Sequence, residues 1–323
     1  MPLKTFSAQN DQRLYQNILS IDWTDYIDIN QTFAIDHTVR SIYFKHSGYA
    51  ALKTKDAIAD HFRNKLGKRP SVDTEQPDII INLHINNEEC TISLDCSGAP
   101  LYKRGYRSAT GPAPLNEVLA AGLIDLTGWD GVSPFSDPMC GSGTFLSEAI
   151  LKATKTPAQF YRQGFGFQKW KNYDIPLWSK IKSEANQRRI TTTPIITGYD
   201  IDANMIKIAR QNILNMNTSF EYITLETRSL QHTLDPFPKG TIIMNPPYDE
   251  RMTVHNIEKL YSNIGDVLKL HALGSRAWIL SSNMQGFKYV GLRPSNKFNV
   301  FNGPLECKFQ GYDMYEGSKR NRE

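Results

Sequence analysis

The sequence predicts an α/β fold: an open, mostly parallel sheet over residues 108–323, preceded by a separate α+β domain over residues 1–107. Three observations carry this. From about residue 132 onward, short apolar runs alternate with amphipathic stretches, the pattern of strands joined by crossover helices. Before residue 107, strand patterns and a hairpin surround one long amphipathic segment. Finally, three of the later apolar runs end in residues that carry chemistry, at Asp137, Asp200 and Asn245. Ligand sites of open α/β sheets lie beyond the carboxyl ends of the strands. Three such motifs at one pole therefore support the fold and locate its site together.

Composition sets the frame. The chain has 323 residues, enough for about two domains at roughly 150 residues each. Apolar residues make up 40% and charged residues 22%, which suits ordinary buried cores. No stretch approaches the ~20 continuous apolar residues of a membrane span, and the segment Met1-Pro2-Leu3-Lys4-Thr5 has no signal-peptide core. Four cysteines, Cys90, Cys96, Cys140 and Cys307, have neither metal-ligand spacing nor the density of a disulfide scaffold. A cytoplasmic chain that uses no metal and meets no membrane is the expectation. The net charge of +4 permits a nucleic-acid partner without demanding one.

In the first domain, Thr32 to Arg40 alternates, with Phe33, Ile35, His37 and Val39 on one side, and predicts a half-buried strand. Gly48 to Leu66 predicts a helix with Leu52, Ile58, Ala59, Phe62 and Leu66 on one face, stopped by Gly67 and Pro70. Ile79 to Ile85 and Cys90 to Cys96 predict two further strands with a hairpin turn at Asn86-Asn87. The domain ends in Leu101-Tyr102-Lys103-Arg104-Gly105-Tyr106-Arg107. Two tyrosines among three cations suit phosphate contact and base stacking, so Lys103, Arg104, Tyr106 and Arg107 are candidate RNA contacts. A basic loop at a domain junction explains the same composition equally well.

Ser108 to Pro114, rich in small residues, Gly and Pro, reads as a hinge. A helix over Leu115 to Leu126 and a strand over Val132 to Ser136 follow. Next comes Asp137-Pro138-Met139-Cys140-Gly141-Ser142-Gly143-Thr144, with a helix starting near Thr144. Strand, acid, glycine loop and helix together form a cradle in which backbone N–H groups approach an anion. The third position of a dinucleotide fingerprint is Leu146, and the phosphate-loop Lys-Ser/Thr pair is missing. An acid at the strand end repels phosphate but suits an ammonium. S-adenosyl-L-methionine, with one ammonium, one carboxylate and no phosphate, is the cofactor that fits best.

Residues from about Lys155 to Thr193 form an insertion whose Phe160, Tyr161, Phe165, Phe167 and Trp170 read as packing of an inserted helical segment rather than an RNA docking surface. Ile195 to Tyr199 predicts the next strand, ending at Asp200-Ile201-Asp202. An acid here accepts hydrogen bonds from ribose hydroxyls. Asp200 is the better candidate, and Asp202 reads equally as the N-cap of the helix that carries Ile206, Ala209 and Ile213. A strand over Phe220 to Leu225 leads to Glu226-Thr227-Arg228-Ser229. The run Thr241 to Met244 then enters Asn245-Pro246-Pro247-Tyr248. The two prolines remove two N–H donors, leaving the Asn245 side-chain oxygen and the carbonyls of Asn245 and Pro246 as acceptors beside the Tyr248 ring. Such a group fits a planar amine on a stacked base. An ordinary turn is the competing reading of that segment alone; the glycine loop upstream decides between them. A helix over Ile257 to Leu270, a strand over Ala277 to Ser281, and a hairpin of Lys297–Phe301 with Leu305–Phe309 complete the chain.

Asp137 to Thr144 together with Asn245 to Tyr248, behind a basic α+β domain, resembles the THUMP-containing guanine-N2 RNA methyltransferases, the bacterial 23S rRNA (RlmL-like) group in particular. The segments Leu101 to Arg107 and Phe301 to Cys307 carry the same resemblance, which runs over nearly the whole chain. It implies a class I, Rossmann-like methyltransferase with a seven-stranded sheet, six strands parallel and the last antiparallel. It implies S-adenosylmethionine as donor and RNA, 23S rRNA first, as partner. By position, Asp137, Met139, Cys140, Gly141, Ser142, Gly143 and Thr144 would surround the methionine end, and Asp200 with Asp202 the ribose. Asn245 and Pro246 would hold the target amine, and Tyr248 the base face. Glu226-Thr227-Arg228-Ser229 departs from the family's acid at the adenine, which leaves Ser229 as the candidate there; residue 249 is Asp in place of Gly, and a further ferredoxin-like N-terminal segment of the family is not matched. The expected activity is methyl transfer to guanine N2 in 23S rRNA. The same acceptors suit tRNA guanine N2 or an adenine N6 amine, and a non-catalytic RNA-binding assembly factor is the alternative of another class.

Overall fold

The structure, a computed structural model, describes residues 1–111, 114–217, 221–232, 236–247 and 254–315. Two units carry the chain: Met1–Leu101 with Gln163–Lys180, and Tyr102–Arg162 with Ile181–Glu323.

The first unit is an α+β domain. Its strands are β1 (Pro2–Ser7), β2 (Thr32–Arg40), β3 (Ser71–Val72), β4 (Ile79–Asn86) and β5 (Glu89–Leu94), in the sheet order β1-β5-β4-β2-β3. Its helices are α1 (Asp11–Leu19) and α2 (Ser47–Leu66). The period-two pattern sets the register: Ile79, Ile81, Leu83 and Ile85 are all buried, as are Cys90, Ile92 and Leu94 opposite them. Asn87 turns the β4–β5 hairpin with φ 55°, a conformation asparagine tolerates better than most side chains. Gly67 closes α2 with φ 70°, its N–H bonded to the Arg63 carbonyl. Asn10 caps α1 by accepting from the Arg13 N–H.

The domain boundaries need correcting. Residues 163–180, expected as part of an insertion in the second domain, group with the first unit, and residues 102–107 group with the second. The physical cause lies in side chains far apart in sequence. The Phe167 N–H donates to the Cys96 carbonyl, Lys169 Nζ meets Asp78 at 3.0 Å, and Trp170 packs on the first unit's core. A Cβ on Gly166 would lie 2.7 Å from the Asp95 carbonyl oxygen, so only glycine fits this approach. Phe165, Phe167, Tyr173 and Trp178 stack among themselves, which is the packing role expected of the aromatics.

The second unit carries a seven-stranded sheet. Its strands are β6 (Phe135–Asp137), β7 (Ile196–Asp200), β8 (Ile223–Thr227), β9 (Thr241–Met244), β10 (Arg276–Ser281), β11 (Asn296–Asn302) and β12 (Leu305–Asp313). The order is β11-β12-β10-β9-β6-β7-β8. Pairings from β8 through β10 are parallel, and β12 is antiparallel to both β10 and β11, so six strands point one way and β12 the other. This is the class I methyltransferase arrangement. On β9, Ile243 joins the core under α3 (Glu117–Thr127), α4 (Thr144–Ala153) and α6 (Ala203–Leu214), while Ile242 and Met244 join the core under α7 (Val254–His271). A strand buried on both faces reads as a continuous apolar run, as Thr241 to Met244 does. α5 (Ile175–Gln187) completes the helices. Among the described residues, no helix is long and apolar enough to cross a membrane.

Candidate active site

A cleft of about 1480 Å³ opens across the carboxyl ends of the parallel strands of the second unit. Sheet order lays out its wall: Ser229 after β8, Asp200 at the end of β7, Asp137 at the end of β6, Asn245 after β9, Ser282 after β10 and Glu306 on β12. The sequence separated these groups by up to 169 positions; the topology aligns them.

The glycine loop is built by the ends of two strands. The Asp137 carboxylate, itself buried, accepts the Met139 N–H at 3.1 Å. The Cys140 N–H donates to the Tyr199 carbonyl at 2.8 Å, and the Gly141 N–H to Asp200 Oδ2 at 2.9 Å. Asp200 Oδ1 takes the Asp202 N–H at 2.9 Å. A carboxylate has about four lone-pair sites, so Asp200 retains acceptor capacity for two hydroxyls. Gly141 has φ 52° and open space where a Cβ would stand, which leaves its backbone approachable from the cleft. α4 begins at Thr144 with no side-chain cap on its first N–H groups, the arrangement that receives a carboxylate.

Burial pushes the Asp137 carboxyl well above the usual carboxylate range, and the Asp200 charge adds to the effect. Burial likewise raises the Cys140 thiol, so it stands as a neutral wall. A cation placed against Asp137 would favour its ionised form. This is the feature that fits the ammonium of S-adenosylmethionine, and Asp200 and the open Gly141 backbone fit its ribose and carboxylate. A pH dependence follows. An acid whose folded value lies above its unfolded one binds protons more tightly in the fold, so it lowers stability as pH rises above the unfolded value. Asp137→Asn is expected to remove that loss, and to weaken cofactor binding at least tenfold. Cofactor binding to the parent protein is expected to release protons that the Asn variant does not release. Titration calorimetry in buffers of different ionisation enthalpy measures both; equal cofactor affinity in the two proteins would place the ammonium elsewhere.

The candidate residues do not all converge. Asp137, Met139, Cys140, Gly141, Ser142, Thr144, Asp200, Ser229, Asn245 and Pro246 all line the cleft. Gly143 does not: its φ of 79° and a would-be Cβ 3.0 Å from that of Ala209 make it a close-packing glycine between α4 and α6. Asp202 also stands outside the lining; its side chain accepts the Asn204 N–H at 2.8 Å and caps α6. Tyr248 lies outside the described residues.

The basic segment requires a larger correction. Arg104 and Tyr106 are buried within the second unit. Tyr106 Oη donates to Glu148 Oε1 at 2.8 Å, and Arg104 Nε stands 3.4 Å from the same carboxylate. Arg107 donates to Thr144 Oγ1 at 2.7 Å and to the Leu115 carbonyl at 3.0 Å. These three side chains fasten the start of the second unit to α4 instead of facing RNA. Lys103 is exposed.

Arg228, Asn263 and Glu306 are among the lining residues that the sequence reading did not single out. Arg228 stacks its guanidinium 4.4 Å from the Tyr199 ring and binds Glu226. Asn263, on α7, has Nδ2 buried without a hydrogen-bond partner among the described residues. Glu306 belongs to the hairpin segment Phe301 to Cys307, whose resemblance was visible but whose place at the cleft was not.

Asn245 is the most informative residue of the wall. Its Oδ1 is buried and has no hydrogen-bond partner among the described residues. Buried polar atoms are nearly always satisfied, and leaving one unpaired costs about 1–3 kcal/mol. An acceptor in that state at the end of β9 is one that a ligand's N–H could satisfy.

Comparison with known proteins agrees with this geometry. Residues 104–310 match the family described as "RMKL-like, methyltransferase domain", and residues 8–95 match the THUMP domain. The chain is 39% identical over 318 residues to slr0064 of Synechocystis sp., named as an RNA methyltransferase, covering 98% of this chain and 82% of that one. It is 36% identical over 327 residues to the ribosomal RNA large subunit methyltransferase K/L of Syntrophotalea carbinolica, where it covers 98% of itself but 46% of the relative. Against that relative, the chain thus spans about half the length. The crystal structure of SMU.472 complexed with SAH superposes with a TM-score of 0.87 at 25% identity, covering 98% of this chain and 84% of that chain. The chain therefore belongs to the RMKL-like family of S-adenosylmethionine-dependent methyltransferases, with a THUMP domain ahead of the catalytic one.

Proposed function

We propose that the protein transfers a methyl group from S-adenosylmethionine to the exocyclic N2 amine of a guanine in 23S rRNA. The observation that carries this reading is the buried, unpartnered Asn245 Oδ1 at the cleft. Support for RNA comes from the relatives' names, one of which acts on large-subunit ribosomal RNA.

Bound S-adenosylmethionine supplies an electrophilic methyl on a sulfonium, a good leaving group. The chain's own residues bind and aim. Asp137 holds the ammonium and Asp200 the ribose, with the Gly141 backbone and the first turn of α4 at the carboxylate. Asn245 Oδ1 and the Pro246 carbonyl accept the two amine hydrogens, which localises the nitrogen lone pair and points it at the methyl. Orientation of this kind supplies much of a rate enhancement. The base has to leave its stack to enter the cleft, and Tyr248 is the residue placed by sequence to receive its face. Lys103, exposed beside the anchored segment, is the remaining candidate phosphate contact of its group.

The test is transfer of labelled methyl to an unmodified 23S rRNA transcript, with tRNA and DNA alongside, followed by nucleoside digestion. N2-methylguanosine from the 23S transcript alone is the expected result. Label on tRNA, or on adenine, would keep the catalytic arrangement and overturn the substrate.

A further inference from the structure

We infer that Glu306 reads the identity of the target base, its carboxylate accepting the ring N1–H of guanine next to the amine that Asn245 holds. This rests on the guanine-N2 reading and deepens it.

Three carboxylates stand among the described residues lining the cleft: Asp137, Asp200 and Glu306. The first two are held by backbone N–H groups of the glycine loop and its neighbour strand. The Glu306 carboxylate, on an exposed residue, makes no hydrogen bond and no ion pair among the described residues, while its backbone pairs with β11 at Phe301. It also stands at the other end of the site. In the sheet, β12 is separated from β9 by β10 alone, two strand spacings or about 10 Å. Ser281 pairs with Lys308, and Met244 with Ile279, so Glu306 lies beyond the end of β10, on the same pole as Asn245. Asn245 is level with Leu280 and Glu306 stands three positions beyond it, so the two backbones are about 14 Å apart, a span that one asparagine and one glutamate side chain shorten to the width of a single base edge.

The chemistry selects the base. Guanine presents two neighbouring donors, the N2 amine and the N1–H. Adenine presents an amine beside N1, which is an acceptor. Two acceptors in the site, Asn245 Oδ1 and a carboxylate, complement the first edge, whereas a carboxylate facing adenine N1 sets acceptor against acceptor. Ser282, Asn283 and Gln285 also line this end, but hydroxyls and amides can donate or accept and so tolerate both purines. Glu306 is the group there that can only accept when ionised.

The experiment uses a synthetic RNA hairpin carrying the nucleotide that the transfer assay labels, with either guanine or 2-aminopurine at that position. 2-Aminopurine keeps the C2 amine but has an acceptor at N1. The parent enzyme is expected to prefer guanine in kcat/KM by about ten- to a hundredfold. Glu306→Gln, whose amide can donate to that nitrogen, is expected to cut the preference to threefold or less, chiefly by raising the 2-aminopurine rate. Glu306→Ala is expected to lower guanine turnover without restoring 2-aminopurine. N2-methylguanosine formed with an unchanged preference in Glu306→Gln would overturn the role of Glu306 and leave the proposed function standing. Product methylated elsewhere than N2 would overturn both.

Discussion

Asn245→Ala is expected to lower the methyl-transfer rate about a hundred- to a thousandfold, the scale of losing one preorganised polar group aimed at a reacting centre. Cofactor affinity is expected to stay within about twofold, because Asp137, Asp200 and the glycine loop lie on other strands. The fold itself should gain. The parent protein carries a buried Oδ1 with no partner among the described residues, and alanine removes that unsatisfied atom, a cost of about 1–3 kcal/mol. The variant is thus expected to melt at the same temperature or higher while turning over far more slowly.

That combination separates the catalytic role from a structural one. A turn-forming asparagine would lose stability on substitution and lose rate in proportion to misfolding. Single-turnover kinetics, titration calorimetry with the cofactor and thermal unfolding measure the three quantities independently. Parent-like single-turnover rates in the alanine variant would remove Asn245 from the mechanism.

How far such a site is legible in sequence depends on the range of the interactions that make it. Thr241 to Met244 is read without error because a strand buried on both faces is a local apolar run. Thr32 to Arg40 and the helix ending at Gly67 are equally local patterns. The strand expected at Phe220 to Leu225 lies at Ile223–Thr227 instead. Pairing with β7 from Ile196 to Asp200 fixes its register. β1 and α1 were not anticipated: Pro2–Ser7 has half-exposed residues and becomes a strand by pairing with β5, about ninety residues away.

Site residues follow the same division. The glycine loop, Asp200 and Asn245 are visible because each ends a strand, and strand ends share a pole. Gly143 and Asp202 carry the right letters, but their roles, packing on Ala209 and capping α6, are decided by neighbours in space. Asn263 and Glu306 line the cleft from α7 and β12, and no local pattern marks either as a lining residue. The basic segment fails for a related reason. Composition records that Arg104 and Arg107 are cations, but not whether a buried carboxylate awaits them 44 or 10 positions further along the chain.

That buried pairing carries the largest expected effect on stability. Glu148 is 4% exposed and sits between Arg104 and Tyr106, while Glu117, 3% exposed, faces Arg107 at 3.5 Å. Two cations and two carboxylates thus share one interior region, with no net charge if all four are ionised. Burial pushes the Glu148 carboxyl up, and Arg104 and Tyr106 pull it back. Glu148→Ala takes away one carboxylate, leaves the Arg104 guanidinium unpaired, and opens a void. Removing one partner of a buried pair costs about 3–5 kcal/mol, and urea unfolding is expected to show a loss of that size. The pair as a whole is worth much less than either half suggests, since desolvation offsets most of its attraction. Glu148→Leu combined with Arg104→Met and Tyr106→Phe, which also removes the hydroxyl that Glu148 accepts from, is therefore expected to recover most of the loss. Arg104→Ala separates this account from the RNA-contact reading of the same segment. A loss of stability with an unchanged salt dependence of RNA binding is expected, because a cation that neutralises no phosphate releases no counterion. An Arg104→Ala protein of parental stability with a shallower salt slope would return Arg104 to the RNA surface.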